Sequence, residues 1–177
     1  ARGEIDVTGL QDGGYVVTWT DRDNNNDGIK ARIVGADGEP IGEEFVVNTQ
    51  VNNRQQDPSV TALEDGGFAV AWRSNAQVDD NSNSAVRLKT FDSEGNATGG
   101  EQLVNTTTQD RQRQPDVEAL PNGGFVATWT DQSSNEPDTD GRAVRGQVFG
   151  PDGQPLGEEF VANTTTQGNQ GQPSVAT

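Results

Sequence analysis

The chain repeats itself three times, and that repetition constrains its fold more than any other feature. Gly13-Gly14, Gly66-Gly67 and Gly123-Gly124 recur at intervals of 53 and 57 residues, and Trp19, Trp72 and Trp129 keep the same spacing. Asn48-Thr49, Asn105-Thr106 and Asn163-Thr164 follow at 57 and 58. A period in this range marks stacked supersecondary units, each burying its apolar face against the next. The 177 residues are therefore expected to form one repeat domain, 1–177. Repeats fall at approximately 4–57, 58–114 and 115–172, with the first strand of a further repeat at 173–177.

Each unit reads as four short strands. In the second copy, Pro58–Leu63 alternates, Glu64-Asp65-Gly66-Gly67 is a turn, and Phe68–Trp72 is apolar on both faces. Gly frees the turn to take positive φ, and a strand apolar on both faces is one buried between two layers. A long polar loop leads to Val86–Phe91, a Glu94-Gly95-Asn96 hairpin turn follows, and Gln102–Asn105 closes the unit. Nothing reads as a helix of useful length. The expected fold class is all-β, built of tandem four-stranded antiparallel blades, the plan of a β-propeller. Closing such a ring takes about four to eight blades. Three are therefore expected to be completed by further chain or by subunits, and Ala1 reads as the start of a processed or excised piece.

Only 29% of the residues are hydrophobic and the net charge is −16, from 28 acidic and 12 basic residues. Low hydrophobicity with high charge is the signature of disorder, but disorder has no reason to keep apolar runs at fixed repeat positions. So acidic a surface repels nucleic acid and anionic lipid, and no run has the length of a membrane-crossing helix. The chain has no Cys, His or Met. That removes disulfides, the usual zinc, copper and haem ligands, and Ser-His-Asp or Cys-His catalysis.

The loop after each Trp strand carries the clearest chemistry. The first reads Asp23-Asn24-Asn25-Asn26-Asp27-Gly28, the core pattern of a calcium loop. Calcium takes six to eight hard oxygens, which alternate side chains of a tight loop can aim at one centre. The second copy offers Asp79-Asp80-Asn81-Ser82-Asn83-Ser84 and the third Glu136-Pro137-Asp138-Thr139-Asp140-Gly141. The expected Ca²⁺ ligands are Asp23, Asn25, Asp27, Asp79, Asn81, Asn83, Glu136, Asp138 and Asp140, with the second loop the weakest. The twelfth position from Asp23 is Val34, so this is no EF-hand. The other reading is an ordinary polar hairpin loop.

Three further positions recur. The Trp row reads either as packing between blades or as a platform for sugar rings. Lys30, Arg87 and Arg145 share one position and Glu44, Glu101 and Glu159 another, which suits a cross-strand ion pair or a cation ring facing an anionic ligand. Asn48, Asn105 and Asn163 are expected to terminate their strands by bonding nearby backbone. No carboxylate stands in a setting unique enough to mark an acid and a base, so no catalytic residue is expected.

The pattern P-x-V-x-x-L-x-x-G-G-F, then W, a D/N-rich loop, a D-G turn and E-F-V-x-N-T resembles a repeat of large secreted bacterial proteins, the hemolysin-type (RTX-like) calcium-binding and adhesin proteins. Its parts are cleanest at Pro115–Trp129, Asp152-Gly153 and Glu159–Thr164. The resemblance implies an extracellular or cell-surface setting and a non-catalytic, calcium-stabilised structural or adhesive module, not an enzyme. Alternatives are a lectin-like carbohydrate-binding propeller, a self-assembling filament or surface-layer component, and part of a secreted hydrolase. Expected partners are further repeats of the same chain, other copies of it, or a glycan, with no nucleic acid and no membrane insertion.

Overall fold

A computed structural model describes residues 5–22, 27–75 and 83–177. Among them lie twelve strands and no helix: β1 (Ile5–Gly9), β2 (Tyr15–Arg22), β3 (Asp27–Val34), β4 (Pro40–Val46), β5 (Gln55–Ala62), β6 (Phe68–Ser74), β7 (Ala85–Phe91), β8 (Gln102–Leu103), β9 (Gln112–Ala119), β10 (Phe125–Asp131), β11 (Ala143–Phe149) and β12 (Pro155–Val161). They pair in chain order into three four-stranded antiparallel sheets, β1–β4, β5–β8 and β9–β12. These are three blades of a β-propeller.

The double glycine makes the first hairpin of each blade. Gly13, Gly66 and Gly123 take φ of 85°, 88° and 82°, a left-handed conformation that L side chains avoid. The second glycine is required for space instead. A Cβ on Gly67 would lie 2.2 Å from the carbonyl oxygen of Phe91, and one on Gly124 2.3 Å from that of Phe149. The side chains of Asp12, Asp65 and Asn122 accept the N–H of Gly14, Gly67 and Gly124, closing the turn.

Strand alternation sends each blade's side chains to two neighbours. From β6, Phe68, Val70 and Trp72 join a core with Val16, Ile29, Ile33 and Val47 of the first blade. Ala69 and Ala71, with Val86 and Leu88, join a second core with Val117, Phe125, Ala127 and Trp129 of the third. Phe68 stacks on Phe91 and Phe125 on Phe149, each with ring centroids 5.1 Å apart. The outer faces have no such cover: Val7 is 56% exposed, Tyr15 38% and Phe160 39%. The equivalents of Val7 and Tyr15 in the second blade, Val60 and Phe68, are buried.

Polar side chains finish what the short outer strands leave open. The Asn48 Oδ1 accepts the Ile29 N–H at 2.7 Å, and Asn105 and Asn163 do the same for Val86 and Val144 at 2.8 Å. Each Asn donates onward to a carbonyl two residues later, of Gln50, Thr107 and Thr165. The recurrent Glu reaches across blades. Glu101 accepts the N–H groups of Thr49 and Gln50, and Glu159 accepts those of Thr106 and Thr107.

Candidate functional site

The first strand of each blade lines a common axis. β1, β5, β9 and the segment Pro173–Val175 enclose a cavity of about 380 Å³, and Asp6, Asp57, Asp116 and Glu118 are among its walls. These strands make no backbone ladder with one another; side chains join them instead. Asp6 Oδ2 accepts the Val60 N–H at 2.9 Å, the Ser59 hydroxyl accepts the Val117 N–H at 3.2 Å, and Asp116 Oδ2 accepts the Val175 N–H at 2.7 Å. Asp6, Ser59 and Asp116 hold one repeat position. Asp116 Oδ1 also accepts the Ser59 hydroxyl at 3.2 Å.

At the cavity wall the backbone turns left-handed at Asp57, Gln114 and Gln172, with φ of 55°, 53° and 58°. Each directly precedes a Pro, at Pro58 within β5, Pro115 within β9 and Pro173, and in β5 and β9 the register slips nearby, a β-bulge. Such a bulge re-aims side chains at a strand end. The left-handed turn recurs in the second and third blades and again before Pro173, which makes it architecture, yet what it aims differs: Asp57 carries a carboxylate where Gln114 and Gln172 carry amides. Arg73 holds Asp57 at 3.3 Å. Glu118 meets the Thr177 hydroxyl at 3.3 Å. Sequence reading missed these carboxylates; the signal available was the departure of Glu118 from Thr8 and Thr61 and of Asp57 from Gln114 and Gln172.

The expected calcium ligands divide. Asp23, Asn25, Asp79 and Asn81 lie outside the described residues. Asp27 accepts a hydrogen bond from Gln56 and faces Arg54 at 3.9 Å. Asn83 gives its carbonyl to the Asn75 amide at 2.7 Å. In the third loop Glu136 is exposed, and its carbonyl accepts from Arg145. Asp138 is buried, taking the Asn163 amide at 2.7 Å and the Asp140 N–H at 3.3 Å. Asp140 accepts the Gly168 N–H at 3.1 Å. Among the described residues no three carboxylates gather as metal ligands do.

Trp72 and Trp129 pack between blades, while Trp19 is half-buried. Trp72 and Trp129 are fully buried, and the Trp72 Nε1–H donates to Gln55 at 3.0 Å. Trp72 and Trp129 therefore offer no sugar platform. The recurrent cation pairs with the recurrent Glu in every blade: Lys30 with Glu44 at 2.6 Å, Arg87 with Glu101 at 3.9 Å and Arg145 with Glu159 at 3.0 Å. These positions hold the outer strands of each blade together. The last two pairs are buried, while the Lys30 pair remains in contact with water.

No family model matches the chain, and no curated protein matches it. Solved structures do match in fold. A thermostable family-43 glycoside hydrolase aligns over 96% of this chain and 59% of its own, with TM-score 0.63 and 12% identity. An α-L-arabinofuranosidase from Lactobacillus brevis covers 92% and 57%, with TM-score 0.59 and 14% identity. An endo-arabinase from Bacteroides thetaiotaomicron covers 90% and 61%, with TM-score 0.55 and 13% identity. The chain thus spans about three fifths of their length, and at these identities the likeness is one of fold.

These matches correct the resemblance to hemolysin-type repeats. They equally overturn what rested on it, a non-catalytic, calcium-binding adhesive or structural module that is not an enzyme. The similar folds are sugar-cleaving enzymes. The physical reason lies in the motif itself. Its Gly-Gly pair, closing Asn and outer-strand Glu are consumed by hydrogen bonds and close contacts of the blade. They report the blade architecture and do not distinguish families that share it.

Proposed function

We propose that this chain supplies three consecutive blades of a secreted carbohydrate-cleaving propeller, and that the axial cavity is its share of the substrate site. The observation that supports this is the convergence of four carboxylates on one cavity, in a fold shared with glycoside hydrolases. Glycosidic cleavage uses two carboxyl groups flanking the bond, one giving a proton to the leaving oxygen, the other acting as nucleophile or as base toward water. Asp6 and Asp116 are committed to joining blades. Asp57, held by Arg73, and Glu118, which meets the Thr177 hydroxyl at 3.3 Å, are the two assigned to act on substrate. In this reading Asp57 is the charged partner and Glu118 the proton donor. The extracellular setting belongs to the proposal and follows from a polymeric substrate, since polymeric glycans do not cross membranes. Further blades, from the same chain or other copies, cover Val7, Tyr15 and Phe160.

The test is incubation with arabinan, arabinoxylan and xylan, reading released sugar by chromatography and binding by calorimetry. Wild type is expected to bind and release sugar. Glu118→Gln and Asp57→Asn are expected to bind and to lose release by at least a hundredfold, the usual scale of acid–base assistance. Binding without release by wild type overturns the hydrolytic assignment. No binding to any glycan overturns the site itself.

A further inference from the structure

Beside the axial cavity lies a second pocket of opposite character. It has a volume of about 290 Å³ and is lined by Arg54, Arg73, Arg111 and Arg113, with Gln56 and Ser84 among the neutral residues. Four of the chain's 12 basic residues meet here, in a protein of net charge −16. The described carboxylates paired with these arginines are Asp27, 3.9 Å from Arg54, and Asp57, 3.3 Å from Arg73. Arg73 also donates to Gln56, and its Nε is buried without a partner.

The placement follows from the strand period. Arg111 and Arg113 flank the buried Gln112, so alternation puts both guanidinium groups on one side of the chain at the start of β9. Arg73, at the end of β6, approaches from the neighbouring blade. Burial first, then the charges of Arg111, Arg73 and Arg142, hold the Arg113 guanidinium below its ordinary value. Gathering like charges is unfavourable unless an anion joins them.

The blade fold does not require this gathering. Where the second repeat has Arg73, the first and third have Thr20 and Thr130. Where the third has Arg113, two positions before its Pro, the second has Gln56 and the residue two positions before Pro173 is Gly171. Arg111 corresponds to Arg54 in the second repeat and to Asn169 after the third. The uncharged versions build the same blade, so Arg73 and Arg113 are departures from the repeat that structure alone does not explain.

We infer that this pocket is an oxyanion subsite, binding the carboxylate or sulfate of an acidic saccharide whose neighbouring sugar enters the axial cavity. Asp57 and Gln114 of the cavity wall directly follow Gln56 and Arg113 in sequence, and the Arg73–Asp57 pair joins the two spaces. Guanidinium forks suit planar and tetrahedral oxyanions alike. The saccharide part of this inference rests on the proposed function; the oxyanion part rests on the arginines alone.

The experiment is calorimetric titration of the full chain at low salt with four probes. They are an oligogalacturonate, a sulfated disaccharide, inorganic sulfate and a neutral arabino-oligosaccharide. The variants are Arg113→Gln and Arg111→Asn, which install residues that other repeats carry at those positions, so the melting temperature is expected to hold. An acidic saccharide is expected to bind at least tenfold more tightly than the neutral one. Each substitution is expected to weaken it roughly tenfold while neutral binding stays unchanged, and added salt weakens acidic binding alone. Which acidic probe prevails decides between carboxylate and sulfate. Equal binding of acidic and neutral sugars, unmoved by either variant, overturns the subsite and leaves the proposed function standing. Sulfate binding lost in the variants, with no sugar bound, upholds the oxyanion site and overturns the carbohydrate reading. No binding of any probe overturns both.

Discussion

Replacing Arg145 by Leu should destabilise the protein far more than replacing Lys30 by Leu, although both residues hold the same position in their repeats. Arg145 Nε lies 2.6 Å from Asp131 and its Nη1 3.0 Å from Glu159, in side chains at most 8% exposed. It also donates to the carbonyls of Asn135 and Glu136 at 3.2 Å. Leu would leave two buried carboxylates without a cation, a change that costs about 3–5 kcal/mol. Lys30 pairs with Asp21 at 2.8 Å and Glu44 at 2.6 Å, but all three groups remain in contact with water. Exposed pairs contribute about 0–1 kcal/mol. With a urea slope of about 2 kcal/mol per molar, the midpoint should fall by roughly 2 M for Arg145→Leu and by less than about 0.5 M for Lys30→Leu. Unfolding followed by far-ultraviolet dichroism and by Trp emission should give coincident curves if the blades unfold together. Equal midpoint shifts in the two variants would refute the reasoning, because burial would then not govern the pair's contribution.

Other perturbations test other parts of the structure. Gly67→Ala, which forces a methyl group within 2.2 Å of the Phe91 carbonyl oxygen, should cost at least 1–3 kcal/mol in thermal unfolding. Gly100, with open space around its Cβ direction, should tolerate Ala at little cost. The Asn96 side-chain amide, then the Asn96 N–H, hold the Asp92 carboxyl below its ordinary 3.8. Because the folded value is the lower one, the turn's contribution to stability is present above that ordinary value and lost as pH falls through the folded one. Carboxyl NMR should show Asp92 titrating low in the wild type and nearer 3.8 in Asn96→Ala. Acrylamide should quench mainly Trp19, which is half-buried while Trp72 and Trp129 are enclosed, and Trp19→Phe should remove most of the quenchable emission.

The repeat that made the fold legible also concealed the function. Positions recurring in every copy, such as Asn48, Asn105 and Asn163 or the Gly-Gly turns, are those any blade of this design needs. Reading them as a family signature led to a calcium-binding adhesive module, and the fold likeness to glycoside hydrolases overturns it. The informative residues are those that break the pattern. Glu118 in the axial cavity, and Arg73 and Arg113 in the basic pocket, each differ from their counterparts in neighbouring copies, and Asp57 differs from Gln114 in the third.

What the amino-acid sequence determined by itself is local and periodic. It contains three units of four strands, all-β, with turns at the Gly pairs and strand ends at the Asn residues. Alternation and turn chemistry act over a few residues, so a one-dimensional pattern suffices to reveal them. Only the tertiary structure decided which face of each strand meets which neighbour, that Arg87 and Arg145 are buried while Lys30 is not, and that Arg54, Arg73, Arg111 and Arg113 share one pocket. Those arginines come from two blades, and the axial carboxylates come from three inner strands. Their meeting depends on how the blades splay around a common axis, a relation between units that no single unit's sequence contains.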